Sequence, residues 1–125
     1  MNKPLIIAIF LGVVLIIGAA LVGLSLKEKK GPTSAQAAVE ITDSGFNPAT
    51  ISVKKGTVVT WNNKDSAPHW VASDPHPVHN QLPGFDSVRK IAAGESYPFT
   101  FEKTGTFTYH DHLNPLKFKG TVIVK

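Results

Sequence analysis

Short segments of alternating apolar and polar residues, separated by turn residues, make up the chain from Val39 onward. Val39 and Ile41 alternate with polar neighbours, and residues 57–62 and 106–111 repeat the pattern. The turn residues recur at the spacing of about 8–12 positions that is typical of sandwiches and barrels. Strands this short bury an apolar core only when two sheets face each other. The sequence therefore predicts an all-β, two-sheet β-sandwich over residues 38–125.

The N-terminal part of the chain has a different character. Residues 5–26 read LIIAIFLGVVLIIGAALVGLSL and carry no charge. As a helix they would be about 33 Å long, enough to cross a hydrocarbon layer of about 30 Å. The apolar part of a cleaved signal peptide is shorter, about 7–15 residues. We therefore expect an uncleaved, single transmembrane helix, with residues 1–4 as its flank and residues 27–37 as a flexible tether.

Basic residues are in excess mainly beside this apolar segment. The formal net charge of the chain is +4, and Lys3, Lys27, Lys29 and Lys30 flank residues 5–26. Because the domain itself is nearly neutral, the sequence excludes a basic surface for nucleic acid. The excess of lysines on the C-terminal flank predicts a domain in the cytoplasm by the positive-inside rule. The function inferred below predicts the opposite, extracytoplasmic (periplasmic) side of the cell membrane.

The chain contains no cysteine. This excludes disulfides, thiolate metal ligands, a thiol nucleophile and a lipidated cysteine anchor. Nor does any residue pattern indicate a hydrolase site, and we expect no enzymatic activity.

Histidines are concentrated in the second half of the chain. His110 and His112 are two positions apart, so on an extended strand both side chains point the same way. His76 and His79 lie in a long, proline-rich excursion within residues 66–88, and long loops of this kind are often functional. We predict a metal site with His69, His110 and His112 as principal ligands. Further ligands or supporting residues are expected among Asp111, His76 and His79.

Alternatives remain open for several of these residues. His76 and His79 would equally fit exposed loop positions without a ligand role. Asp74 and Asp86 are candidate oxygen ligands or hydrogen-bond partners of ligands, and Trp70 either shields a site from water or caps the sandwich. Imidazole and carboxylate without thiolate favour Cu(II), Zn(II), Ni(II) or Fe.

Two long segments of the domain read FNPATISVKKGTVVTWNNKDSAPHWV and GTFTYHDHLNPLKFKGTVIVK. Together they resemble the cupredoxins, in particular plastocyanin-like and amicyanin-like domains, and the resemblance extends over nearly all of residues 38–125. Within the group the chain is most similar to the short cupredoxin-like domains of the iron-uptake (EfeO) type. The resemblance implies a Greek-key sandwich and a copper-related function.

The resemblance also shows where the chain departs from the blue-copper pattern. His69 matches the first histidine ligand of the family, but Asp111 stands where the family has its cysteine. Asn114 stands at the second histidine, and Lys117 or Phe118 at the axial methionine. A blue site with a copper–thiolate bond is therefore excluded. The segment FTYHDH is similar to the Phe-x-Tyr-His-x-His segment of multicopper oxidases, which supports His110 and His112 as copper ligands.

The expected function is a membrane-anchored, extracytoplasmic cupredoxin-like domain that binds, buffers or delivers non-blue Cu(II), or another divalent metal that prefers nitrogen and oxygen ligands. Its expected partners are the membrane and a protein that donates or accepts the metal. The alternatives are a metal-free interaction module and, third, a redox or electron-transfer component.

Overall fold

The computed structural model describes residues 34–125, which form two four-stranded sheets. The strands are β1 (Gln36–Thr42), β2 (Gly45–Asn47), β3 (Thr50–Val53), β4 (Thr57–Asn63), β5 (Val71–Ser73), β6 (Ser96–Phe101), β7 (Gly105–Asp111) and β8 (Lys119–Val124). The first sheet has the order β2-β1-β4-β6 and the second the order β3-β8-β7-β5. The predicted all-β, two-sheet sandwich is confirmed.

The strand pairing mixes both directions. β1 runs parallel to β4 and β3 runs parallel to β8. The other neighbours, including β4 with β6 and β7 with both β5 and β8, are antiparallel. Because the neighbours in each sheet are mostly distant in sequence, the loops that cross between the sheets bring separate chain segments together at the ends of the sandwich.

Alternate side chains of the facing strands fill the space between the sheets. Trp61 on β4 and Tyr109 on β7 are buried, and their rings are 5.3 Å apart. Val59 and Val122 are fully buried beside them. Burial of such side chains contributes about 1.5–3 kcal/mol each, so this layer of apolar contacts holds the two sheets together, as the sequence alternation predicts.

Strand β7 presents different chemistry on its two faces. Tyr109 belongs to the buried apolar core, and Asp111 is on the same face because side chains on a strand alternate. His110, between them, therefore points to the outer face of the second sheet. Its cross-strand neighbours are Ala72 on β5 and Lys119 on β8.

The part of the excursion that follows β5, residues 74–88, folds back over this outer face. The backbone N–H of Thr108 on β7 donates to Oε1 of Gln81 at 2.8 Å, and Asp74 N–H donates to the Thr108 carbonyl at 3.1 Å. Farther along, Leu82 and Phe85 enter the apolar core. The excursion is thus fixed to the sandwich at both ends, and its first half lies beside His110.

The predicted membrane segment, residues 5–26, lies outside the described residues. Within residues 34–125, no helix is both long and apolar enough to cross a membrane. Strand β1 begins at Gln36, two residues before the predicted start of the domain. Residues Gln36 and Ala37 of the predicted tether therefore pair with β4.

Candidate metal centre

Four histidine side chains meet on the outer face of the second sheet. His76 and His79 come from the excursion, His110 from β7 and His112 from the turn that follows it. One ring nitrogen of each lies within 4.8 Å of those of the other three. These side chains are called the histidine cluster below.

Local backbone geometry explains how two segments converge. His110 and His112 share a side of the chain because they are two positions apart along an extended segment, and His112 N–H donates to the Trp70 carbonyl at 2.7 Å. In the excursion, His79 N–H donates to the Pro75 carbonyl at 2.8 Å. The φ angle of His79 is 56°, a left-handed conformation that is uncommon for a residue with a side chain. The tight turn so formed places His76 and His79 together, facing β7.

Carboxylates hold two of the rings in place. Nδ1 of His110 lies 2.6 Å from Oδ1 of Asp74, and Nδ1 of His79 lies 2.8 Å from Oδ2 of Asp86. With Nδ1–H donating to the carboxylate, Nε2 of each ring carries the free lone pair. Carboxylate–histidine pairs of this kind orient metal-binding imidazoles and make them more basic. Asp74 and Asp86 are therefore partners of the histidines.

The buried Nε2 atom of His110 has no hydrogen-bond partner among the described residues. His110 is only 2% exposed, and an unpartnered buried polar atom of this kind is unfavourable unless something binds to it. A metal ion among the histidine nitrogens would satisfy that lone pair.

The spacing of the nitrogens also fits a metal ion. Metal–imidazole bonds of about 2.0–2.1 Å put ligand nitrogens on one ion about 3–4 Å apart. Nδ1 of His112 already lies 3.1 Å from Nε2 of His79, and the largest separation in the cluster is below 4.8 Å. Small rotations of the imidazoles would bring all of the nitrogens into bonding range.

Trp70 covers one side of the cluster. Its ring centroid lies 4.8 Å from that of His112, and Nε1–H donates to Oδ1 of Asp86 at 2.7 Å. Trp70 thus contacts one histidine directly and supports a second, His79, through Asp86. Of the two interpretations from sequence, shielding of a site is the one that these contacts favour.

The surroundings of Asp86 favour the ionised form of its carboxyl group. Partial burial raises the pKa of Asp86, but hydrogen bonds from Val88 N–H, Trp70 and His79 outweigh it and leave the pKa below its usual value. The backbone N–H of Asp86 donates to the hydroxyl oxygen of Tyr97 at 3.1 Å. The carboxylate that supports His79 is therefore held in place by groups from both the excursion and the first sheet.

On the inner face of β7, opposite the histidine cluster, a second group of polar side chains surrounds Asp111. Oδ2 of the fully buried Asp111 accepts a 2.6 Å hydrogen bond from Nδ1 of His69 and a 3.0 Å bond from Asn114 Nδ2. Nε2 of His69 lies 2.8 Å from Oδ2 of Asp65. This hydrogen bond from His69 lowers the pKa of Asp65. With carboxylates at both of its ring nitrogens, His69 has no nitrogen free for a metal in this structure.

Backbone groups complete the hydrogen bonding of Asp111. Its Oδ1 accepts from Trp70 N–H at 2.9 Å and from Leu113 N–H at 3.0 Å. The ring of Phe118 packs on His69 with centroids 5.3 Å apart. The group formed by Asp65, His69, Asp111 and Asn114 is therefore internally satisfied and is called the buried hydrogen-bond network.

The structure thus divides the residues that the sequence proposed as ligands. His110 and His112 lie together, and their histidine neighbours are His76 and His79 instead of His69. His69 and Asp111 belong to the buried hydrogen-bond network. Asp65 is not among the residues proposed from the sequence, and the fold brings it to His69. The two residues are four positions apart in a loop, and that spacing predicts a contact only on a helix.

Comparison with known proteins identifies the family. The sequence profile described as "Cupredoxin-like domain" matches residues 13–124. The chain is a member of the cupredoxin-like family. A curated plastocyanin from Scenedesmus fuscus is 30% identical over 94 residues, which cover 66% of this chain and 92% of that protein.

Solved structures agree with this family. A purple cupredoxin from Nitrosopumilus maritimus superposes with a TM-score of 0.62 and 26% identity, over 71% of this chain and 99% of its own. The Cu(I) form of an amicyanin variant superposes with a TM-score of 0.60 and 26% identity, over 76% and 87% of the two chains. The resemblance to plastocyanin and amicyanin is confirmed.

This cupredoxin-like domain cannot form a type 1, blue copper site, because the chain has no cysteine. Asp111, which stands at the cysteine position of the family resemblance, is hydrogen-bonded to His69 and Asn114 instead. The histidine cluster lies on the other face of β7. The groups that can hold a metal in this domain are therefore separate from the residues that match the family's copper site.

Proposed function

We propose that this cupredoxin-like domain binds a divalent metal ion, Cu(II) in preference to others, through His76, His79, His110 and His112. The observation that carries the proposal is the convergence of their ring nitrogens to within 4.8 Å. Two further features support it: Asp74 and Asp86 orient two of the rings, and Nε2 of His110 is buried without a partner.

Copper is favoured by the donor set and by the family. Nitrogen donors bind Cu(II) more tightly than the other divalent first-row metals, and a similar amicyanin was solved in a Cu(I) form. The chain has no thiolate, and its single methionine is Met1, so soft donors that would favour Cu(I) are missing from the cluster. An all-imidazole site stabilises Cu(II), which suits binding, buffering or delivery of the ion better than rapid electron transfer.

A membrane location belongs to the same proposal. We propose that residues 5–26 anchor the domain outside the cytoplasm, where it exchanges metal with a donor or acceptor protein. The uncharged run of residues supports the anchor. The lysine count predicts the other orientation, and protease treatment of spheroplasts, which have no outer membrane, distinguishes the two: loss of the domain supports this proposal, and protection until the spheroplasts are lysed contradicts it.

The metal proposal is tested on the full-length chain purified in detergent. After addition of Cu(II) and removal of loosely bound metal, we expect one Cu(II) per chain and an EPR spectrum with coupling to several nitrogens. The double variant His110→Ala/His112→Ala should bind Cu(II) more than about 100-fold more weakly, since it loses two ligands where loss of a supporting group alone costs about 10–100-fold.

The results that contradict the proposal are equally clear. Unchanged Cu(II) affinity in the double variant would exclude the histidine cluster as the site. Displacement of Cu(II) by an equal concentration of Zn(II) would contradict the choice of copper. A folded chain that holds no metal after expression in its natural compartment would favour the alternative, a metal-free interaction module.

A further inference from the structure

A cavity of about 370 Å³ opens beside the histidine cluster. It lies between the start of the excursion and the segment that follows β7, and it reaches two of the cluster's histidines, His76 and His110. Its other walls include Asp74, Pro115, Leu116 and Lys119. Trp70 therefore covers the cluster at His112, and the cavity reaches the cluster mainly at the exposed side chain of His76.

The cavity wall carries one positive and one negative side chain, Lys119 and Asp74. Lys119 is the cross-strand neighbour of His110, so the two side chains stand on the same face of the second sheet. No carboxylate of residues 34–125 forms an ion pair with Lys119. The one carboxylate on the cavity wall, Asp74, is engaged by Nδ1 of His110 at 2.6 Å.

Imidazole ligands are neutral, so the charges nearest to a divalent ion are the Asp74 and Asp86 carboxylates, which are bonded to the rings, and Lys119 on the cavity wall. We propose that the cavity admits a small anion with a lone-pair donor atom, which becomes an additional ligand of the metal and lies beside the Lys119 ammonium group. This inference rests on the proposed metal binding by the histidine cluster.

Azide is the probe for this proposal, because it is a small anion whose bond to Cu(II) gives a new charge-transfer absorption. In the Cu(II)-loaded, full-length chain we expect azide to produce that absorption and to change the EPR spectrum, with saturation. The variant Lys119→Gln should weaken azide binding about threefold to fivefold, the size of effect expected for one exposed charge, and higher salt should reduce this difference.

Lys55→Gln is the matched control, since it removes the same charge at the turn between β3 and β4 and should leave azide affinity unchanged. Copper content and the EPR spectrum without azide test metal binding by itself. If copper binds at the cluster but azide changes neither spectrum, the cavity does not supply a ligand and the inference is wrong. Equal losses in the two lysine variants would also overturn the role of Lys119.

Discussion

A 2.6 Å hydrogen bond joins His69 and Asp111 in the interior of the sandwich, on the face of β7 opposite the histidine cluster. His69 is 2% exposed and Asp111 is fully buried. In the family resemblance these are the positions of a histidine and a cysteine of the blue copper site. Here the pair contributes to folding stability through a buried contact between two polar side chains, and the neighbouring carboxylate of Asp65 binds the other nitrogen of the ring.

Removal of His69 should reduce stability without removing the metal. In His69→Ala, the buried Asp111 loses its ring partner but keeps its bonds from Trp70, Leu113 and Asn114. We expect a loss of about 3 kcal/mol in the free energy of unfolding, at the lower end for a broken buried pair, measured by urea denaturation of the metal-free chain. Cu(II) affinity should stay within about threefold of the original.

His110→Ala is the comparison for that variant, because it removes a member of the histidine cluster. It should lower Cu(II) affinity strongly. An equal loss of Cu(II) affinity in His69→Ala would show that the ligand set predicted from the sequence, with His69 as a principal ligand, describes the site better than the histidine cluster does.

Loss of the carboxylate that supports His79 should weaken metal binding. In Asp86→Asn the 2.8 Å contact with Nδ1 of His79 loses its charge, so the ring is less firmly oriented. We expect Cu(II) affinity to fall about 10–100-fold, measured by competition with a chelator. Asp43→Asn, an exposed carboxylate in the turn after β1, is the control. Equal affinities of the two variants would exclude a supporting role for Asp86.

Stability should fall at alkaline pH because of Tyr97. Burial raises the pKa of Tyr97 to about 12, whereas a tyrosine in an unfolded chain ionises near pH 10. The folded state therefore retains a proton that the unfolded state loses, and the stabilisation present below pH 10 is lost as the pH rises toward about 12. Urea denaturation at a series of pH values measures the decline.

Tyr97→Phe removes this titration and should flatten the decline between pH 10 and 12. Burial also raises the pKa of Tyr109, so part of the decline should remain in the variant. A decline as steep as that of the original chain would show that Tyr97 does not contribute to it.

A side chain at Gly120 should destabilise the fold. It faces Tyr109 across the β7–β8 pair, and a Cβ atom at Gly120 would overlap the Tyr109 ring. Because Tyr109 is 1% exposed, the ring has no room to move aside. We expect Gly120→Ala to cost about 1–3 kcal/mol of stability. In the background Tyr109→Leu, which lacks the ring, the same change should cost clearly less; equal costs would contradict the overlap.

The architecture could be predicted from local pattern, and the metal site only in part. Alternation fixes which side of a strand each residue occupies, and this was enough to predict the sandwich and to place His110 and His112 on one side. The contribution of the excursion could not be predicted, because it depends on where residues 74–88 fold. A hydrogen bond from β7 to Gln81 and the left-handed turn at His79 decide that.

His69 illustrates the limit of alignment by resemblance. Its match to a copper ligand of the family predicts a role in metal binding. Whether a histidine can bind a metal, however, depends on which groups contact its two ring nitrogens. With Asp111 at 2.6 Å and Asp65 at 2.8 Å, carboxylates occupy both of its nitrogens. The position of the His69 side chain matches the family, but its neighbour at the cysteine position is Asp111, and this carboxylate changes what the imidazole can bind.

The returning part of the excursion also closes an open sheet edge. β5 is the outermost strand of the second sheet. On its outer side, Ser73 N–H donates to the Phe85 carbonyl, and the Val71 carbonyl accepts from Ser87 N–H, each at 2.8 Å. Exposed strand edges recruit other chains and promote self-association. Asp86 lies in the segment that pairs with β5, opposite Ala72, and its carboxylate also contacts His79. A metal bound by His79 would therefore hold this segment against the strand edge. Removal of the metal by a chelator would make the domain more prone to aggregate.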